Sequence, residues 1–184
     1  DSNGNCYRIF EFIEDSKTIN VVDNPHQAYE AAYQFGSFTA QFKDIEIRGI
    51  VPSIPDFHNL SLRFDQFKNA ILTGDSHRIN QSEKEINILL NYKFIVNLYN
   101  SMINSDNFKV RIMHHDAKIS NVLFGPNDNG LHVIDLDTVM PGHIFSDWGD
   151  MMRTYISPAS EEELDLEQII IRPEFVEAIR EGYL

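Results

Sequence analysis

Apolar residues recur at helical spacing along much of the chain and alternate only in short bursts. Asn24 followed by Pro25 pairs a favoured N-cap with a favoured first helical residue. Behind them Ala28, Ala31, Phe35, Phe38 and Phe42 mark one stripe, which predicts a helix. Val51-Pro52-Ser53-Ile54-Pro55 stops it and predicts an extended loop. A second helix is predicted from about Leu60 to Leu72, ended by Thr73-Gly74-Asp75. The third, about Glu83 to Ile103, is the longest. Ile86, Leu89, Val96 and Tyr99 form one stripe in it, and Ile88, Ile95 and Leu98 widen that stripe. A helix apolar over so much of its circumference is expected at the centre of a core.

The texture differs at both ends of this helical stretch. Cys6 to Ile13 alternates and is rich in β-formers, which predicts a strand at the edge of a sheet the rest of the chain does not supply. Lys109 to Met113, Val122 to Phe124 and Leu131 to Asp135 are short β-like pieces separated by polar turns, Gly125 to Gly130 being the clearest. Trp148, Met151, Met152 and Tyr155 return to helical spacing and read as core. Glu161 to Glu167 is an acidic run that reads as a solvated face or a helix start, and Pro173 opens a last helix. The class is α+β: a mostly helical body carrying short β-hairpins.

Composition narrows the possibilities. With 184 residues, 42% apolar, 13 Phe and 7 Tyr, the chain can bury enough surface to offset its ordering entropy, so disorder is excluded. A net charge of -13 is the opposite of a phosphate-tracking surface and argues against nucleic acid. No apolar run approaches the length of a bilayer span. The lone Cys6 can form no internal disulfide and fits a reducing compartment. The chain opens Asp1-Ser2-Asn3-Gly4 without Met, so a native start or targeting segment is expected to be missing.

The densest polar cluster is His114-His115-Asp116-Ala117-Lys118-Ile119-Ser120-Asn121, between two predicted strands, where a loop can present side chains from a rigid base. Downstream a strand ends in Asp135-Leu136-Asp137. Phosphoryl transfer to an alcohol needs one carboxylate on the hydroxyl and a few oxygen ligands for Mg²⁺. An Asp, an Asn five residues on and a further Asp at a strand end meet that need, and Lys118 can offset charge on the phosphate. Asp135-Leu136-Asp137 alone is a weak signal, since strands often end in acidic residues, and it also resembles the nucleotide-sugar metal motif of glycosyltransferases. The remaining histidines show no zinc-protease spacing, and no G-x-S-x-G elbow is present.

His114-x-Asp116-x-Lys118-x-x-Asn121 resembles the catalytic loop of the protein-kinase-like superfamily. The Asp-Leu-Asp that follows, in place of Asp-Phe-Gly, resembles its aminoglycoside phosphotransferase and choline kinase branch. Within that branch HHDAKISNVLF, VIDLDTVMPG, DWGDMMR and IPDFHN resemble the N-acetylhexosamine 1-kinases, over roughly residues 24–155. These bacterial cytoplasmic enzymes phosphorylate the anomeric hydroxyl of GlcNAc or GalNAc with ATP and Mg²⁺. The resemblance implies Asp116 as base and Lys118 at the transferred phosphate. It implies Asn121 and Asp135 as metal ligands, with Asp137 a further one. Asp147 would prop the loop through backbone N–H bonds and His114 would support it, with His115 a spacer. Glu11, Phe12 and Ile13 would meet adenine as the hinge, and Phe57 and His58 would contact the acceptor. An amino sugar is the implied partner and the cytoplasm the implied location.

The chain carries no Gly-rich phosphate loop, no strand Lys before the hinge and no helix Glu to pair it. The resemblance therefore implies residues 1–14 as the last strand of an N-terminal lobe with its hinge, and residues 15–184 as the helical C-terminal lobe, cut short at its end. The N-terminal lobe would be largely missing, and such a fragment would be inactive by itself. Two alternatives stand beside this reading. One is a kinase of the same fold acting on an aminoglycoside, choline or homoserine; the other is a catalytically incomplete nucleotide-binding lobe.

Overall fold

The structure is a computed structural model that describes residues 2, 4, 7–160 and 163–184. Cys6, and Glu161 and Glu162 of the acidic run, lie outside the described residues. In chain order the elements are α1 (Pro25–Gln41), α2 (Leu60–Thr73), α3 (Ser76–Gln81), α4 (Glu83–Asn91), α5 (Lys93–Ile103), β1 (Arg111–Met113), β2 (Val122–Phe124), β3 (Gly130–Val133), β4 (Met140–Gly142), α6 (Phe145–Tyr155) and α7 (Pro173–Tyr183). They fall into two compact units. The first comprises Asp1–Ser37, Lys118–Ile134 and Met151–Leu184; the second comprises Phe38–Ala117 and Asp135–Asp150.

In the first unit, α1 starts where the sequence predicts, with the Asn24 side chain accepting the Gln27 N–H at 3.1 Å. Its Ala28, Ala31, Ala32 and Phe35 are fully buried, as are Val122, Phe124, Met151, Tyr155 and Ile179. Small residues let α1 and α7 approach closely: a Cβ on Gly182 would lie 2.3 Å from the Tyr29 carbonyl oxygen, and one on Gly36 2.5 Å from that of Tyr183. β2 and β3 pair antiparallel with a bulge at Leu123/Phe124. The hairpin is tied to α1 at its turn, where Glu30 accepts the Gly130 N–H at 2.8 Å and Gln34 donates to the Gly130 carbonyl at 2.9 Å. Arg172 donates to the Tyr155 carbonyl at 2.9 Å and lies 3.8 Å from the centre of the Phe175 ring.

The strand predicted over Cys6–Ile13 is not formed: residues 7–13 carry no strand, and Tyr7, Ile9, Phe10 and Phe12 are exposed. A strand is completed by a ladder of backbone bonds to a neighbour, and residues 7–13 belong to neither of the two sheets. Pairing begins only at Lys17, which exchanges two 2.8 Å bonds with Phe124.

In the second unit, β1 pairs antiparallel with β4 in the register Arg111↔Gly142, Ile112↔Pro141, Met113↔Met140. The pattern did not predict β4, because Pro and Gly argue against a strand interior. A two-stranded pair has only edges, and there Pro141 is tolerated. α2 is capped by Asn59, which accepts the Leu62 N–H at 3.1 Å, and Ser61 donates to Asn100 of α5 at 2.7 Å. The long helix predicted over 83–103 is two helices broken at Tyr92 (φ -85°, ψ 8°), whose N–H is shared between the Ile88 and Leu89 carbonyls. It is not central to a core. No residue of α2 to α5 is buried, and Ile88, Leu89, Ile95 and Leu98 are all exposed. Periodicity located the apolar face, but what covers a face is decided by tertiary packing, to which periodicity is blind.

Candidate active site

The second unit builds its polar centre where β1 ends. Ile112 and Met113 are buried, and the chain continues inward, so His114 and His115 are buried as well. A buried turn needs partners for its backbone groups. They come from side chains. The fully buried Asp147 carboxylate accepts the His114 N–H on Oδ2 at 3.1 Å and the His115 N–H on Oδ1 at 2.7 Å. Thr138 donates its hydroxyl to the His114 carbonyl at 2.7 Å, and the His58 ring bonds the His115 carbonyl through Nε2 at 3.1 Å. The Asp116 N–H donates to His114 Nδ1 at 3.3 Å. Five consecutive polar groups of the backbone are thus held by side chains, and Asp116 follows half-buried.

Burial pushes the Asp147 carboxyl up to about 6, the nearby Asp150 charge adding to the rise and the two N–H bonds opposing it. His115 is held the other way. Burial first, then the neighbouring His58 and His114, bring its imidazole down to about 4, while backbone groups of Met140 and Pro141 resist. Its backbone is left-handed (φ 66°), and its Nδ1 pairs with the Ser146 hydroxyl at 2.7 Å. Gly142 makes room for the ring: a Cβ there would lie 2.3 Å from Cε1 and 2.4 Å from Nε2. The His58 ring stacks on it at 5.2 Å and 15°. His115 is therefore a packed part of the site rather than a spacer.

Phe57 meets His58 edge-on at 4.5 Å, and both line a cavity of about 250 Å³ together with Tyr99, His115, Met140 and Phe145. Asp135 is exposed and left-handed (φ 60°, ψ 63°), a conformation Asp tolerates better than most residues. Although it opens a 3₁₀ turn over Leu136–Thr138, its carboxylate caps no N–H of that turn. Asp137 is exposed, and its carbonyl accepts the Ser53 hydroxyl at 3.2 Å.

Lys118 and Asn121 belong to the first unit, where Lys118 is half-buried and Asn121 buried. Asn121 closes a 3₁₀ turn over Ile119–Asn121, its N–H donating to the Lys118 carbonyl at 3.0 Å. Its carbonyl accepts the Ile134 N–H at 2.8 Å. Glu11 and Phe12 are exposed and Ile13 half-buried, with the Ile13 carbonyl accepting the Ser16 hydroxyl at 2.7 Å. Among the described residues no three side chains of His, Cys, Asp or Glu gather as a metal site. Of the expected ligands, the Asp135 and Asp137 carboxylates are of those types, and only the Asn121 amide is not. Such an all-oxygen set suits a hard ion such as Mg²⁺.

Sequence reasoning missed Thr138, Gly142 and Ser146. Each acts through a contact with a residue distant in sequence, and no local spacing announces it. The described residues hold no helix long and apolar enough to cross a membrane. The model of the phosphotransferase enzyme family matches residues 1–183. The chain belongs to the phosphotransferase enzyme family.

Proposed function

We propose that the protein transfers the γ-phosphoryl group of ATP to the anomeric hydroxyl of an N-acetylhexosamine, in the cytoplasm, with Asp116 as the base. The observation that carries this reading is the clamped turn before Asp116, where a buried carboxylate, a hydroxyl and two imidazoles fix the backbone. Phosphoryl transfer asks little covalent chemistry of a protein and much positioning, so a carboxylate on a rigid base is what it requires. The Asp116 carboxylate orients the acceptor hydroxyl and takes its proton. The Lys118 ammonium offsets charge on the phosphate. By the family resemblance, Asn121 and Asp135 would supply oxygen ligands for Mg²⁺, with Asp137 a further one. Mg²⁺·ATP brings the transferable phosphoryl group and neutralises its charge.

The adenine hinge in this reading is Glu11 to Ile13. Phe57 and His58 border the cavity in which acceptor contacts are expected. A second reading keeps the reaction and changes the acceptor to an aminoglycoside, choline or homoserine. The net charge of -13 favours it, since a cationic acceptor would be drawn to such a surface.

Two measurements on the full-length protein decide. A panel of amino sugars, aminoglycosides, choline and homoserine with labelled ATP identifies the acceptor. Asp116→Asn is expected to lower turnover by about 10²–10⁴-fold, as loss of a general base does, with the unfolding midpoint unchanged. Unaltered turnover would remove Asp116 from the chemistry and end the assignment.

A further inference from the structure

The IPDFHN segment does more than border a cavity. We infer that His58 is a positioning residue, whose Nε2–H holds the peptide plane carrying Asp116 in its productive orientation. This rests on the role of Asp116 as base given above. The peptide joining His115 to Asp116 has two polar groups, and an imidazole engages each. Its carbonyl accepts from His58 Nε2 at 3.1 Å, and its N–H donates to His114 Nδ1 at 3.3 Å. A carbonyl can only accept, so His58 carries its proton on Nε2; a backbone N–H can only donate, so His114 leaves Nδ1 bare. The plane cannot rotate without breaking both bonds.

His58 is exposed, yet its ring is braced by two neighbours. One face of its ring lies on His115, and Phe57 packs edge-on against it. The turn that delivers it is closed by Asn59, which donates to Asp56 at 2.9 Å while capping α2. Arg63 further ties the turn through the Asp56 carbonyl at 3.3 Å. The side chain thus spends its donor on the loop and one face on a neighbour. This geometry suits holding the loop better than recognising an acceptor.

The test compares variants of the full-length enzyme. His58→Phe keeps a ring to stack on His115 and removes the donor; His58→Gln restores an N–H donor without the ring. His58→Phe is expected to lower kcat by about 10–100-fold, the usual cost of losing a supporting contact behind a catalytic group, with KM for both substrates unchanged. Amide exchange over residues 114–117 should accelerate in the same variant. His58→Gln should recover most of both. Should His58→Phe fail to fold, His58→Ala against His58→Gln makes the same comparison. An unchanged kcat in His58→Phe overturns the inference, and so does a rise in acceptor KM at constant kcat, which would make His58 a substrate contact. If the wild-type enzyme phosphorylates nothing in the panel, the acceptor reading fails instead. The exchange measurement then decides the positioning role by itself, and unaltered exchange in His58→Phe would overturn it.

Discussion

Two regions of the second unit invert the usual relation between polarity and burial. The turn over His114 and His115 is polar and buried, with Asp147 behind it fully enclosed. The α4–α5 arm is apolar and exposed: Leu89 is 50% accessible and Leu98 54%. Burying a polar group is unfavourable unless it finds a partner, and here side chains supply one to each of the five backbone groups from the His114 N–H to the Asp116 N–H. Exposed apolar surface costs the folded chain little directly, so the arm needs no comparable care. The contrast shows where this fold invests its specificity. It lies in the polar turn, where each contact is between particular atoms.

The sharpest way to break that contrast is to remove the enclosed carboxylate. Asp147→Ala leaves the His114 and His115 N–H groups buried without acceptors, at a cost of about 2–5 kcal/mol from two such losses. For a domain stable by about 5–15 kcal/mol this is a large fraction. Urea unfolding would show a lowered midpoint at unchanged slope. Asp147→Asn, which keeps one acceptor oxygen, should fall between Asp147→Ala and the wild type. A midpoint equal to the wild type in both would mean that the turn does not depend on this residue.

The same contrast explains what could be read without the structure. α1, α2, α6 and α7 were legible because caps, breakers and periodicity are local: Asn24 and Pro25 open α1, and Pro173 opens α7. The β2–β3 hairpin was legible from its polar turn. The arm and residues 7–13 were misjudged for one reason. An apolar pattern states that a face has affinity for a cover, not that the cover is present. For the site, His114 and Asp116 stand in a motif whose spacing carries meaning, and Asp147 was reached through the resemblance of its segment to a family motif. Thr138, Gly142, Ser146 and the grip of His58 on His115 do not, since these are contacts across as many as 57 residues of sequence.

A smaller effect separates the two titrating groups of the turn. Asp147, raised to about 6 from 3.8, favours the folded state when protonated, so its contribution declines as pH rises from about 4 to 6. His115, lowered to about 4 from 6.5, favours the folded state when neutral; its contribution is present above about 6.5 and is lost as pH falls towards 4. Over pH 4 to 6 the two oppose each other. His115→Asn isolates the second, because Asn tolerates the left-handed backbone at this position. Stability of the wild type minus that of the variant should grow with pH from 4 to 6.5 and then level off. A flat difference would mean that the buried imidazole keeps its ordinary affinity for protons.

The mildest perturbation belongs to the arm. Leu98→Gln exchanges an apolar side chain for a polar one at a position 54% accessible, on a helix with no buried residue. Most of the Leu98 surface is already in water, so little transfer free energy is forfeited. Gln is also nearly as good a helix former as Leu. The unfolding midpoint should therefore shift by no more than about 0.5 kcal/mol, the ordinary range for surface substitutions. The opposite result would be more instructive. A loss of about 2 kcal/mol or more is what burial of a Leu side chain is worth, and it would show that this face is covered in solution. The apolar stripe over 83–103 would then mark a buried surface after all, as its periodicity implies, and the inversion between turn and arm would disappear.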